Sequence, residues 1–327
     1  MMRYRKLKAI TNLSEYVLFL AAVSIILILD LNISLKNIKG ITDDRLLTNT
    51  TDFTEEYIQL RGDVEDNLID TKTFDKTNGR ATPFYWHVAK SGGTSVQDRY
   101  AHCFGLIEAS EIGAMYGHDK EETLKVVEVN ESKNHVNVDV SSLDGILRAS
   151  SLNLVSSNIA DVIFSPLIEP SVSHLFSHDS KGQMFAMFRH PVHRVISLFY
   201  YLQIATWEPT YNPALRNMTL LEYANSDLVE ANFVLRSLVN KMEGPLSWND
   251  VKVAKEYLRR KCLVGLVDQY EASIDRFDNF FDFHPKRDNV DNCITELRKN
   301  GGSNVHLHPS IDPESEAYKI LERKNGW

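Results

Sequence analysis

The chain has 327 residues, of which 43% are apolar and 24% charged, and its formal net charge is −8. These proportions exclude wholesale disorder, a collagen-like repeat and a polytopic membrane protein. The acidic balance argues against a nucleic-acid partner, because such proteins carry a basic surplus.

The first element is apolar. Residues 17–29 (VLFLAAVSIILIL) are broken only by Ser24, and apolar flanks extend the segment over residues 13–33. A full span needs about 20 residues. A transmembrane signal-anchor is therefore expected over 16–33, with a cleaved signal peptide as the alternative. No small-x-small cleavage site follows it, and Arg3, Arg5, Lys6 and Lys8 against Glu15 give the preceding segment a net charge of +3. Positive flanks stay cytoplasmic, so residues 1–15 are expected to be a cytoplasmic tail and the rest lumenal. Subtracting that +3 from −8 leaves −11 for the remainder. Asn49, Asn130 and Asn217 stand in Asn-x-Ser/Thr triplets that agree with a lumenal address, although such triplets are common by chance.

Residues 34–81 are rich in Thr, Asp, Asn and Lys and keep no amphipathic period. They are expected to be a stem, with one short helix near residues 55–60. From residue 82 the texture alternates. Residues 83–89 (PFYWHVA) read as a strand and 94–104 (TSVQDRYAHCF) as a helix. LKVVEVN and HVNVDVS alternate in β-branched residues, and 160–165 (ADVIFS) and 183–190 (QMFAMFRH) are short buried-type strands. Residues 191–205 open on Pro191 and carry apolar residues at helical spacing. A helix over 249–261, the strand CLVGLV over 262–267 and a helix around DQYEASIDRFDNFF complete the pattern. Buried strands separated by helices predict an α/β fold, a parallel sheet covered on both faces. Ligands of such sheets bind beyond the carboxyl ends of the strands.

Two motifs carry chemistry. AKSGGTS, residues 89–95, leaves a predicted strand and opens a predicted helix. Paired glycines let the backbone approach a ligand, and successive N–H groups at a helix start cradle an anion. Lys90 adds a full charge. The spacing is not that of an ATP-type loop, in which Lys follows the second glycine. Taken alone, the motif reads also as a capped helix start. The second motif is FRHPVHRVISLFYY, residues 188–201. Arg189 sits at a strand end and can grip a phosphate with two parallel hydrogen bonds, and Ser197 lies two turns into the helix. Taken singly, these are a surface Arg and a helix Ser.

As a pair, with HVAKSGGTS followed about a hundred residues later by RHPVHRVISLFYY, the motifs resemble the PAPS-dependent sulfotransferases. The likeness is closest to the membrane-anchored, Golgi-type carbohydrate sulfotransferases and covers residues 82–327. It implies a P-loop-like three-layer fold with a central parallel sheet. It further implies that Lys90, Ser91, Gly92, Gly93, Thr94 and Ser95 hold the 5′-phosphosulfate of PAPS (3′-phosphoadenosine 5′-phosphosulfate), that Arg189 and Ser197 hold its 3′-phosphate, and that Lys90 acts in catalysis. The activity implied is sulfuryl transfer to a carbohydrate hydroxyl in the Golgi lumen, with no metal required.

The pattern departs from the family at one point. Relatives place a catalytic His in a Gly-His dipeptide after the strand that precedes the second motif; here ADVIFS runs into Pro166, Leu167, Ile168 and Glu169. Candidate bases are Glu169, His174 and His118, while His87 reads better as a packed strand residue. Two rival readings stay open: a catalytically inactive PAP(S)-binding relative, and a P-loop small-molecule kinase. Trp86, Trp207 and Tyr211 are candidate sugar platforms, although aromatics at element ends are more often core. The three cysteines cannot form a disulfide framework. Cys103 and Cys262 read as buried free thiols, with a Cys262–Cys293 bridge as the alternative.

Overall fold

Alternation along the strands sets the layers. In β1 (Thr82–Trp86) Phe84 and Trp86 point to one core, whereas Tyr85 points to another. In β5 (Val162–Ser165) Ile163 faces the first and Val162 and Phe164 the second. In β6 (Gly182–Phe188) Met184 and Ala186 oppose Phe185 and Met187 in the same way. Successive side chains of a strand leave on opposite faces, so strands apolar on both faces must be covered twice. The computed structural model describes residues 58–75, 80–129, 133–208, 210–299 and 309–326.

The sheet has seven strands in the order β3-β4-β2-β5-β1-β6-β7, where β2 is Glu108–Ala109, β3 Val126–Val129, β4 Lys133–Val136 and β7 Cys262–Leu266. All pairings are parallel except the β3–β4 hairpin at one edge. The expected α/β class with a central, mostly parallel sheet is what the chain forms. One face is covered by α1 (Gly62–Asn67), α3 (Leu143–Ser151), α5 (Ile168–His174), α8 (Phe233–Leu238) and α9 (Trp248–Lys261), whose apolar residues join the first core; the short helix α4 (Leu154–Ser157) extends α3. The other face is covered by α2 (Gly93–Gln97) with the π-helical turn Asp98–Cys103 that continues it, by α10 (Tyr270–Phe281) and by α11 (Val290–Lys299). A third cluster joins α6 (Pro191–Leu202), α7 (Leu220–Asn225) and α12 (Glu316–Lys324).

Two expectations change. Leu60, Val64 and Leu68, assigned to the stem by composition, are at most 3% exposed and belong to the first core. The packed unit thus takes in residues upstream of 82, and Lys261 locks them in place by donating to the Leu68 carbonyl at 3.1 Å. The cysteine pairing is Cys103–Cys293, and Cys262 is the buried free thiol. Cys262 opens a central-sheet strand and faces the first core, away from the face where α11 carries Cys293. The expected anchor over 16–33 lies outside the described residues, and among those described no helix is long and apolar enough to cross a membrane.

Candidate functional site

The first arm is the turn after β1. The β1–β5 ladder extends one residue, with the His87 N–H donating to the Ser165 carbonyl at 2.9 Å. The chain then turns through two left-handed residues, Lys90 at φ 65° and Gly92 at φ 77°. Glycine adopts that conformation freely, but a lysine there carries strain of about 1–3 kcal/mol, a feature that collects at functional sites. At Gly93 a Cβ would come within 2.1 Å of His87 Cδ2, so the imidazole packs directly against the loop backbone. Ser91 is fully buried, and its hydroxyl has no hydrogen-bond partner among the described residues. Thr94 and Ser95 occupy the first turn of α2.

The second arm follows β6, the parallel neighbour of β1. Both strands therefore end at the same edge of the sheet, and Arg189 leaves β6 beside the Lys90 turn. The two charges feel each other. Burial first, then Arg189, push the Lys90 ammonium down to about 8, with Glu208 pulling the other way. Burial also lowers the Arg189 guanidinium, opposed by Asp268. Neither cation forms an ion pair among the described residues. Desolvated like charges without a partner are unfavourable, and an anion between them relieves both penalties.

Helix α6 supplies the wall. Ser197 and Tyr201 are four residues apart and so share a face. Lys90 Nζ stands 4.0 Å from the centroid of the Tyr201 ring, a cation–π contact. The Tyr201 hydroxyl donates to a Glu208 carboxylate oxygen. Arg194, one turn before Leu198, turns away from the mouth. It is 3% exposed, pairs with Glu230 at 3.2 Å and lies over the Phe233 ring. Burial holds the His87 imidazole neutral, pushing it down to about 4, with Lys90 adding to the effect against Glu208.

The structure thus sets the turn of Lys90, Ser91, Gly92, Gly93, Thr94 and Ser95 next to the end of the strand that carries Arg189, and Ser197 lies on α6 one turn before Tyr201. Two of the three candidate bases engage other side chains. Glu169 pairs with Arg61 at 3.5 Å and accepts from the Ser173 hydroxyl at 3.1 Å. His174 is exposed at the end of α5, where its carbonyl accepts from Ser150. His118 pairs with Glu121 at 3.3 Å in the segment after β2. Trp86 is fully buried with its indole N–H on the Pro166 carbonyl at 3.2 Å, so it is core and no sugar platform. Two acidic residues at the mouth escape sequence reasoning. Asp268 directly follows β7, at the strand end where ligands are expected, so its place was readable. Glu208 had no such signal, because it reaches the mouth only through the length of α6.

A cavity of about 430 Å³ lies at the opposite edge of the sheet, lined by Thr82, Pro83, Ala160, Gln183, Phe281 and Lys286. It touches the strands where they begin and contributes nothing to the cation pair. Among the described residues, no three His, Cys, Asp or Glu side chains gather as a metal site. The chain matches no known family model and no curated protein.

Proposed function

We propose that the protein transfers the sulfuryl group of PAPS to a hydroxyl of a carbohydrate acceptor, from a P-loop-like domain anchored in the Golgi membrane. The observation that carries this reading is the half-buried couple of Lys90 and Arg189 at the ends of adjacent strands, in no ion pair among the described residues. A nucleotide with anionic groups on both sides of its ribose suits two such cations. In this reading the turn 90–95 takes the 5′-phosphosulfate, with the Ser91 hydroxyl, which has no partner among the described residues, a ready donor, and Arg189 with Ser197 takes the 3′-phosphate. The Cys103–Cys293 bridge and the exposed Asn217 sequon suit an oxidising, glycosylating lumen.

The acceptor oxygen attacks sulfur in line. The bond from sulfur to the bridging oxygen breaks, and its electron pair leaves on the 5′-phosphate. Lys90 and the loop N–H groups are preorganised for that growing charge, the setting in which such stabilisation is strongest. Lys90→Ala is expected to lower transfer of labelled sulfate at least about 100-fold while the unliganded protein melts almost unchanged. Near-normal transfer by that variant would refute the assignment. Stabilisation by ATP with Mg²⁺ in place of PAP would favour a kinase instead. One observation favours a second reading, a PAP(S)-binding protein without turnover: Glu169 and His118 are engaged away from Lys90, with Arg61 and Glu121. Such a protein binds PAP and sulfates no acceptor.

A further inference from the structure

We propose that Trp207 and Glu208, at the corner where α6 ends, form the acceptor half of this site. Trp207 is the platform for a sugar ring, and Glu208 takes the proton of the attacking hydroxyl. The inference rests on the sulfuryl-transfer reading and deepens it. Its ground is a chain of contacts centred on Tyr201. The ring of Tyr201 carries Lys90 Nζ at 4.0 Å on its face. Its hydroxyl is bound to one oxygen of Glu208. Trp207 stands edge-on to the same ring, centroid to centroid 6.3 Å. One phenol therefore ties the cation at the leaving group to a carboxylate and an indole beside it.

Each partner suits its role. Trp207 is 67% exposed. Its ring is open to a ligand beside the mouth, and the apolar faces of sugar rings lie well on indoles. Glu208 is half-buried, and Tyr201 orients it through one oxygen, which leaves the second oxygen to accept a proton. Its charge reaches both Lys90 and His87. The other polar groups at the mouth are placed for other work: His87 is packed against Gly93, and Asp268 faces Arg189 and His190. The step balances. The acceptor O–H proton passes to the free Glu208 oxygen as the acceptor O–S bond forms and the bridging O–S bond breaks. Glu208 then returns the proton to solvent.

The test uses the full chain, PAP binding followed by thermal shift, and transfer of labelled sulfate from PAPS to a chondroitin oligosaccharide and an N-acetyllactosamine oligosaccharide. Glu208→Gln is expected to lower kcat about 100-fold or more, to keep PAP binding, and to lose the acidic limb of the pH–rate profile. The charged or titratable groups facing Glu208 are Tyr201, Lys90, His87 and Glu111, and all four remain in that variant. Trp207→Ala is expected to raise acceptor KM about tenfold with kcat kept, the pattern of lost ground-state binding. Tyr201→Phe keeps the carboxylate but frees it, so its kcat falls less than that of Glu208→Gln. A wild-type rate and an intact acidic limb in Glu208→Gln overturn the inference while sulfuryl transfer stands. A wild-type chain that neither binds PAP nor transfers sulfate overturns both.

Discussion

Lys90 is held in a left-handed turn, half-buried, with its ammonium over an aromatic face and an arginine nearby. Its lowered pKa makes anion binding depend on pH. The cation is needed for the anion, and in the free protein it is lost as pH rises through about 8. PAP affinity is therefore expected to be level from pH 6 to 7.5 and to fall about tenfold per pH unit above 8. Lys90→Arg should remove that fall, since guanidinium stays charged throughout. Calorimetric titration with PAP over this range checks both, and a level wild-type profile to pH 10 would sink the claim. At this scale the sequence was informative where chemistry is local. Lys90 and Gly92 sit in one short motif, and Arg189 ends a strand. Glu208 was illegible because α6 and the bend after it decide where it falls. Arg194 looked equivalent to Arg189 in the motif, yet helical phase turns it toward Glu230.

Among the elements, those punctuated by Gly or Pro were the most legible. The strands β5 and β6 are apolar runs with Pro166 after the one and Gly182 opening the other, and Pro191 marks the start of α6. The strand β2 was not visible, because it is two residues long and one of them is Glu108. Burying that carboxylate within the sheet has a consequence. Glu108 is fully buried, accepts from Gln97 Nε2 at 2.5 Å and lies 3.7 Å from His135, itself fully buried. Burial pushes Glu108 up to about 8, against hydrogen bonds from Ser110 and Gln97 and with help from the charges of Glu111 and Asp98. Burial also pushes His135 down to about 4, as it does His87. The signs oppose. A carboxyl raised in the folded state favours folding at low pH, and that advantage disappears as pH rises from about 4.5 through 8. The histidines favour folding above about 6.5, and that advantage is lost as pH falls toward 4. Stability should peak between these limbs. Glu108→Gln should flatten the alkaline limb alone, melting several degrees above the wild type at pH 9 and close to it at pH 4.5. Melting curves of both proteins at the two pH values decide the matter; parallel curves would show that Glu108 is ionised in the fold.

At the scale of the whole molecule, the site depends on two layers meeting across the sheet edge, and the disulfide ties one of them down. The turn that carries Lys90 runs into α2 and then the π-helical turn ending at Cys103. Cys103 is bonded to Cys293 of α11, a separation of 190 residues. The same turn is held to α10, where Arg99 and Tyr100 both bind Asp278, at 2.7 and 2.9 Å. Three cysteines gave no sequence rule for their pairing, since only the packing of α11 against the layer of α2 brings these two together. A closed loop of that length limits the unfolded chain, and the chain-entropy account assigns it about 5 kcal/mol. Cys293→Ser should therefore lower the melting temperature by about 10–20 °C in a domain of this size. Because Asp278 still holds Arg99 and Tyr100, the variant should bind PAP at low temperature nearly as well as the wild type. Thiol titration of the wild-type chain under denaturing, non-reducing conditions should find one free thiol, that of Cys262. Three titrating thiols, or a melting temperature unmoved by the substitution, would remove the bridge from this account. Loss of PAP binding in a still-folded variant would show that the bridge, and not the Asp278 contacts, positions the turn that carries Lys90.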